Sequence, residues 1–102
     1  MAMSKDLKYS ELYQEYKSLL TDNQREVFEF YYLCDLSLSE ISEMKKISRQ
    51  GVSDALSKTR ELLENYENCL KLLEKKRVLQ SLVEKISDEN EKGAILEIVR
   101  EL

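Results

Sequence analysis

One segment of this chain carries polar side chains that could bind DNA, at the start of a predicted helix. Guanidinium and amide groups, such as those of Arg49 and Gln50, hydrogen-bond to base edges and to phosphates. A serine, a second serine and a lysine follow at helical spacing and would continue along the groove, with another lysine near the DNA backbone. The candidate DNA-binding residues are Lys45, Arg49, Gln50, Ser53, Asp54, Ser57 and Lys58.

Two short helices joined by a tight turn are needed to position these side chains. Ser39 and Ser48 each precede an apolar-periodic run and are suited to N-cap positions, so we expect helices over 39–45 and from 49 onward. The apolar side chains of the pair would meet in one small core of Ile41, Ile47, Val52 and Leu56. This pattern predicts a helix-turn-helix motif at residues 38–60, whose second helix enters a DNA major groove.

An ordinary helical hairpin of a protein core is the alternative interpretation of the same apolar spacing. The short turn, the polar start of the second helix and the small Ser42 favour the helix-turn-helix. Three residues count against DNA binding. Lys46 lies where the turn favours a left-handed backbone, Gly51 lies inside the second helix, and Asp54 places a carboxylate on the DNA-facing side.

The composition predicts an all-α protein and excludes several functional classes. The 102 residues include no proline and two glycines, which favours long helices. No apolar run is long enough to span a membrane, and the first ten residues do not resemble a signal peptide, so we expect a cytoplasmic protein. Without histidine, a catalytic triad or a zinc site is not expected, which predicts no enzyme activity and no cofactor. Cys34 and Cys69 are expected to be reduced thiols, at least one of them buried.

Charge is unevenly distributed along the chain. The net charge is −4, whereas residues 39–60 contain five basic and three acidic side chains and are net +2. The local excess of positive charge is small, so we expect weak phosphate binding by a monomer. The overall acidity motivates a rival hypothesis, in which the motif is a protein–protein adaptor for a basic partner.

The rest of the chain is also predicted to be helical. Apolar spacing predicts helices at about 7–19 and 21–34, the second capped by Thr21, and the aromatic run 28–32 is expected to pack rather than to stack on bases. The second helix of the motif carries an apolar stripe over 52–73, an apolar face restarts between 78 and 86, and a last helix is capped by Asp88. We therefore expect a helix-turn-helix domain at 1–67 and a C-terminal helical extension at 68–102. The extension, together with the surplus stripe, is expected to mediate packing and homodimer formation.

Residues 20–67 resemble a known family. They are similar to the small YlxM-type proteins of Gram-positive and related bacteria. The similarity lies in the opening LTDNQ, the pair Tyr31-Tyr32, the runs Ser39-Glu40-Ile41 and Ser48-Arg49-Gln50, and the acidic tail around Leu62-Leu63-Glu64 and Tyr66-Glu67. The segment LSLSEISEMKKISRQGV also resembles the helix-turn-helix of sigma factor region 4. The chain differs from the family at Lys46, where glycine is usual, and at Gly51, where a helix-forming residue is usual.

The resemblance implies an all-helical DNA-binding regulator whose partner is double-stranded DNA. Family members lie near genes of the signal recognition particle, which implies a role in that protein-targeting pathway. Components of the particle are therefore candidate partners, and an adaptor that binds them without reading DNA is the alternative function. A structural dimer without a ligand is a third hypothesis. Sigma-factor activity itself is not expected, because the chain has no regions for binding polymerase or melting a promoter.

Overall fold

The computed structural model describes residues 7–102, which form six α-helices and no β-strand. The predicted all-α helix-turn-helix fold is confirmed. The helices are α1 (Leu7–Tyr16), α2 (Asp22–Phe28), α3 (Leu38–Lys45), α4 (Arg49–Leu70), α5 (Leu72–Val83) and α6 (Glu89–Glu101). A 3₁₀ turn at Lys17–Leu19 follows α1, and a π-helical turn at Glu29–Leu33 continues α2. The chain divides within α4, between Tyr66 and Glu67, into two compact units.

The connection between α1 and α2 is fixed by side-chain caps. Thr21 caps α2 as predicted: its hydroxyl accepts from the backbone N–H of Gln24 at 3.1 Å, and its own N–H donates to the Gln24 side chain at 2.9 Å. The Arg25 guanidinium donates to the carbonyls of Lys17 and Leu20, at 3.0 and 2.7 Å. These bonds satisfy backbone groups that helix ends leave unpaired, and so hold α1 and α2 in a fixed relation.

The predicted aromatic packing is confirmed. Phe28 is fully buried and stacks between the rings of Tyr13 and Tyr32, with both centroid distances 4.3 Å. At least one of the two cysteines was expected to be buried. Both Cys34 and Cys69 are exposed, so that expectation is wrong. The π-helical turn explains Cys34, because its wider turn rotates the following residues away from the face that 3.6-residue periodicity predicts.

The core below the motif is built from α2, α3 and α4. Val27, Ile41, Val52 and Leu56 are at most 2% exposed and form one cluster. Ile47 was predicted to join them and is 41% exposed, so this part of the predicted core is wrong. Ile47 lies in the turn, where helical periodicity does not apply. The remaining buried positions of α4, Thr59 and Leu63, extend the same face toward its C-terminal half.

The C-terminal unit, from Glu67 onward, consists of the end of α4 together with α5 and α6, which pack against each other. The predicted continuous stripe to Leu73 is interrupted, because Lys71 has a left-handed backbone (φ 53°) and separates α4 from α5. The Glu67 carboxylate accepts from the backbone N–H groups of Leu73 and Glu74, both at 3.2 Å, and thereby caps α5. Asp88 caps α6 as predicted, accepting from the N–H groups of the second and third helical residues at 2.9 and 3.1 Å.

Candidate nucleic-acid interface

The turn between α3 and α4 consists of residues 46–48 and is closed by hydrogen bonds around Ser42. The hydroxyl of Ser42 donates to the carbonyl of Ile47 at 2.5 Å, and the N–H of Ile47 donates back to the carbonyl of Ser42 at 3.2 Å. The small Ser42, which favoured the helix-turn-helix in the sequence, therefore also closes the turn through its hydroxyl and its carbonyl.

The backbone of Lys46 is left-handed, as predicted, with φ 57° and ψ 43°. This conformation ends α3 and directs the chain into α4, as glycine commonly does one residue past a helix end. The left-handed conformation destabilises a residue with a Cβ atom by about 1 kcal/mol or more. The Lys46 ammonium makes no hydrogen bond or ion pair with any residue from 7 to 102, so its charge is available at the edge of the motif.

The caps of the two motif helices differ in part from the prediction. Ser37, and not Ser39, caps α3: its hydroxyl accepts from the N–H of Glu40 at 3.1 Å, and the Glu40 carboxylate accepts from the N–H of Ser37 at 3.0 Å. Ser48 caps α4 as predicted, accepting from the N–H of Gly51 at 2.9 Å. A Cβ atom on Gly51 would lie 3.2 Å from that hydroxyl, so glycine gives the cap room.

The predicted DNA-binding residues divide between the outward face of α4 and its two flanks. At about 100° per residue, the side chains directly opposite the buried Val52 and Leu56 are those of Gln50 and Asp54, with Ser57 and Lys58 to either side of them. Gln50 and Asp54 are exposed and hydrogen-bonded to each other, with the amide donating to the carboxylate at 2.9 Å. The Asp54 carboxylate therefore accepts a hydrogen bond from an uncharged donor, and this bond fixes the orientation of the Gln50 amide.

Arg49 and Ser53 lie on one flank of α4, and Lys58 lies on the other. The side chains of Arg49 and Lys58 are exposed and make no ion pair with any described residue, which leaves both charges available to a ligand. Lys45 is different, because its ammonium pairs with the Glu26 carboxylate and its side chain is 19% exposed. This pair ties α3 to α2, so Lys45 has a structural partner where the sequence suggested a free cation.

Arg60 was not predicted and lies on the same flank of α4 as Arg49. Eleven residues separate them, which is about 16 Å along the helix and about 20° around it. The Arg60 guanidinium donates to the hydroxyl of Tyr32 at 3.2 Å and more weakly to Ser57 at 3.4 Å, and it lies 5.9 Å from the ring centre of Tyr9. All three partners are uncharged. The eleven-residue spacing was visible in the sequence, but the aromatic support from α1 and the π-helical turn was not.

The carboxylate one helical turn beyond Arg60, that of Glu64, is engaged with α1. Glu64 accepts a hydrogen bond from the hydroxyl of Tyr9 and lies 3.9 Å from the ammonium of Lys8. Donation to Glu64, followed by burial and by the charge of Glu64, raises the pKa of Tyr9 to about 12. The hydroxyl therefore stays protonated at physiological pH and keeps Glu64 engaged with α1, while the half-buried Arg60 donates its hydrogen bonds to uncharged groups.

The electrostatics of this surface favour an anion, though weakly. Lys46, Arg49, Lys58 and Arg60 supply four positive charges, against the carboxylates of Asp54 and of the exposed Glu61 on the outward face. Within residues 7–102 no group of acidic, cysteine or histidine side chains could hold a metal ion, and no helix is long and apolar enough to cross a membrane. The arrangement suits hydrogen bonding to phosphates along two flanks, with a polar amide between them.

Comparison with known proteins agrees with this geometry. A family model described as "Putative helix-turn-helix protein, YlxM / p13 like", the UPF0122 family, matches residues 3–101. The chain belongs to this family. It is 53% identical over 77 residues to a UPF0122 protein of Caldanaerobacter subterraneus subsp. tengcongensis, covering 76% of this chain and 66% of that relative. It thus spans just under two thirds of that protein's length.

Two further UPF0122 relatives have a similar level of identity. The chain is 48% identical over 90 residues to a protein of Thermoanaerobacter sp. strain X514, covering 88% of this chain and 72% of the relative. It is also 48% identical over 84 residues to a protein of Mycoplasma capricolum subsp. capricolum, covering 82% and 74%. These matches extend the resemblance seen at residues 20–67 to nearly the whole chain.

Proposed function

We propose that this UPF0122 protein is a regulator that binds double-stranded DNA through the N-terminal half of α4. The observation that carries the proposal is the closed turn at residues 46–48, which buries Val52 and Leu56 while leaving Arg49 and Gln50 exposed at the start of the second helix. In this proposal the arrangement resembles that of sigma factor region 4, with α3 crossing the DNA backbone and α4 lying in the major groove.

Each polar group of α4 has a distinct role in this proposal. Gln50, oriented by Asp54, contacts a base edge, where a side-chain amide pairs well with adenine. Arg49 contacts a base edge or phosphate at one edge of the groove, with Ser53 beside it. Ser57 and Lys58 continue along the groove, and Lys46 lies near the backbone. Lys45 contributes indirectly, because its ion pair with Glu26 holds α3 in place.

The proposed regulator acts in the cytoplasm, as a homodimer, within the signal recognition particle protein-targeting pathway. The two exposed free thiols are compatible with a reducing compartment. The pathway assignment rests on the family resemblance alone. A homodimer would double the limited positive charge of one motif and place two recognition helices on neighbouring half-sites.

Selection from random duplexes at low salt tests this function. The expected result is enrichment of one sequence by the wild-type protein and weaker enrichment of that sequence by Arg49→Ala. Arg100→Ala, which removes an exposed charge from α6, is the matched control and should enrich the same sequence as the wild type. If the wild-type protein enriches no sequence, the base-reading proposal is wrong.

A protein–protein adaptor is the second candidate function. The acidic groups on the outward face, Asp54 and Glu61, and the net charge of −4 favour a basic protein partner over DNA. Pull-down of purified signal recognition particle components, with and without nuclease, separates the two functions. Retention of a protein component after nuclease, weakened by Glu61→Lys, supports the adaptor. Retention of DNA without any retained component contradicts it.

A further inference from the structure

The C-terminal hairpin, formed by α5 and α6, carries apolar side chains that residues 7–102 leave partly exposed. The two helices pack against each other and are joined by residues 84–88, a connection so short that the helices must run antiparallel. Each helix buries one valine, Val83 in α5 and Val99 in α6. These two valines mark the inner side of the hairpin and give a reference for its other faces.

Six large apolar side chains lie on one side of this hairpin. Around each helix axis, they are offset from the buried valine by about 40° to 140° in the same rotational sense. Because antiparallel helices reverse the sense of rotation, equal offsets put both sets on the same side of the hairpin. We call this surface the hairpin face, and its members are Val78 (54% exposed), Leu79 (38%), Leu82 (54%), Ile95 (37%), Ile98 (63%) and Leu102 (56%).

The apolar area of the hairpin face is large for a small protein. From the exposed fractions, the six side chains present roughly 550 Å², at the upper end of what monomeric proteins leave uncovered in one patch. A standard interface buries about 800 Å² on each partner. The hairpin face therefore supplies about two thirds of such an interface before any flanking polar group is counted.

Opposite charges mark the two ends of the hairpin face. Lys75 and Glu91 are both exposed and are each offset from the buried valine of their helix by about 80°, which places them on the face itself. Lys75 lies in the first turns of α5 and Glu91 in the first turn of α6, so the antiparallel hairpin holds them at opposite ends.

We propose that the hairpin face binds the same face of a second copy of this chain, with the two-fold axis running across the helices. This interface rests on the homodimer proposed above and specifies where it forms. In this arrangement α5 lies antiparallel to α5 of the second copy, and Lys75 of each chain shares an end with Glu91 of the other. A two-fold axis parallel to the helices would instead bring Lys75 to Lys75 and Glu91 to Glu91. Charge complementarity therefore selects the first arrangement.

The surface of α5 has a shape that fits this pairing. An open depression of about 350 Å³ is lined by Glu74, Lys75, Val78 and Leu79. In the proposed two-fold arrangement, the C-terminal half of α5 from the second copy lies over it. Leu82 of the second copy would enter the depression and occupy part of it, and by symmetry each chain supplies one such side chain and one such depression.

Sedimentation equilibrium without DNA tests the interface. The wild-type protein should be a dimer at micromolar concentration, and Leu82→Glu should be a monomer with unchanged helix content by circular dichroism. Leu82 is half exposed, so this change should not disturb the fold. Gln80→Glu, an exposed change on α5 away from the hairpin face, is the matched control and should leave the dimer intact.

A charge exchange tests the direction of the two-fold axis. Lys75→Glu and Glu91→Lys should each raise the dimer dissociation constant about tenfold, since each creates like-charge pairs at both ends. The double variant carrying both changes should return to the wild-type value. A double variant as weak as the single variants would overturn the arrangement. A monomeric wild-type protein would overturn the interface itself, whether or not the hairpin face then binds lipid vesicles or another protein. That result would not bear on DNA binding by α4, which the selection from random duplexes tests separately.

Discussion

Replacing Lys46 by glycine should stabilise the protein, because the backbone there is left-handed (φ 57°, ψ 43°). The left-handed conformation costs a residue with a Cβ atom about 1–2 kcal/mol, and glycine avoids that cost. Glycine loses about 0.5–1 kcal/mol more chain entropy on folding, which offsets part of the gain. The Lys46 side chain is exposed and pairs with no described residue, so no contact is lost. The expected net gain is about 0.5–1 kcal/mol, or roughly 2–8 °C in melting temperature.

Urea denaturation followed by circular dichroism measures this gain, and two variants separate its cause. Lys46→Ala removes the side chain while keeping the strained backbone, so its stability should match that of the wild type. Lys45→Gly, one residue earlier, should be destabilised, because Lys45 is helical and loses its ion pair with Glu26. If Lys46→Gly is no more stable than Lys46→Ala, the turn does not have the left-handed geometry described above, and the orientation of α4 derived from it is wrong.

Three other perturbations test separate parts of the structure. Arg60→Ala should weaken binding to any duplex and reduce the slope of log K against log salt by about 0.9, the value for one lost phosphate contact, in titrations at several salt concentrations; an unchanged slope would remove Arg60 from the interface. Leu56→Ala should cost about 2–5 kcal/mol in urea denaturation, since Leu56 is 2% exposed, and a loss below 1 kcal/mol would contradict the assigned core. Hydrogen bonding to Glu64 raises the pKa of Tyr9 to about 12, and burial followed by bonding to Glu29 raises the pKa of Tyr13. The contribution of these two tyrosines to the free energy of unfolding should therefore be constant below pH 10 and fall as the pH rises toward 12. Tyr9→Phe should lessen this fall, and an alkaline stability profile identical to that of the wild type would contradict the Tyr9–Glu64 bond.

The sequence predicted the features that depend on local spacing. The caps at Thr21, Ser48 and Asp88, the left-handed Lys46 and the buried positions of α4 all follow from residue type and helical periodicity. The error at the start of α3 was also local. Ser37 precedes Glu40 by three residues, the spacing of a reciprocal cap, and this pairing favours Ser37 over Ser39.

Features that break helical periodicity, or that join distant segments, could not be predicted in this way. The π-helical turn at Glu29–Leu33 shifts the register of the following residues and exposes Cys34. Lys71 interrupts the long apolar stripe without the glycine or proline that usually signals a helix end. The partners of Lys45 and Arg60 lie 19 and 28 positions away, at Glu26 and Tyr32, so the role of each cation depends on tertiary packing.

The central claim is that the exposed start of α4 binds DNA. Fluorescence anisotropy titration of the selected duplex with wild-type, Arg49→Ala and Arg100→Ala proteins tests it most directly. We predict that Arg49→Ala loses about 1–3 kcal/mol of binding free energy while Arg100→Ala binds like the wild type. Equal binding by Arg49→Ala and the wild type, or loss of binding in Arg100→Ala alone, would contradict the claim.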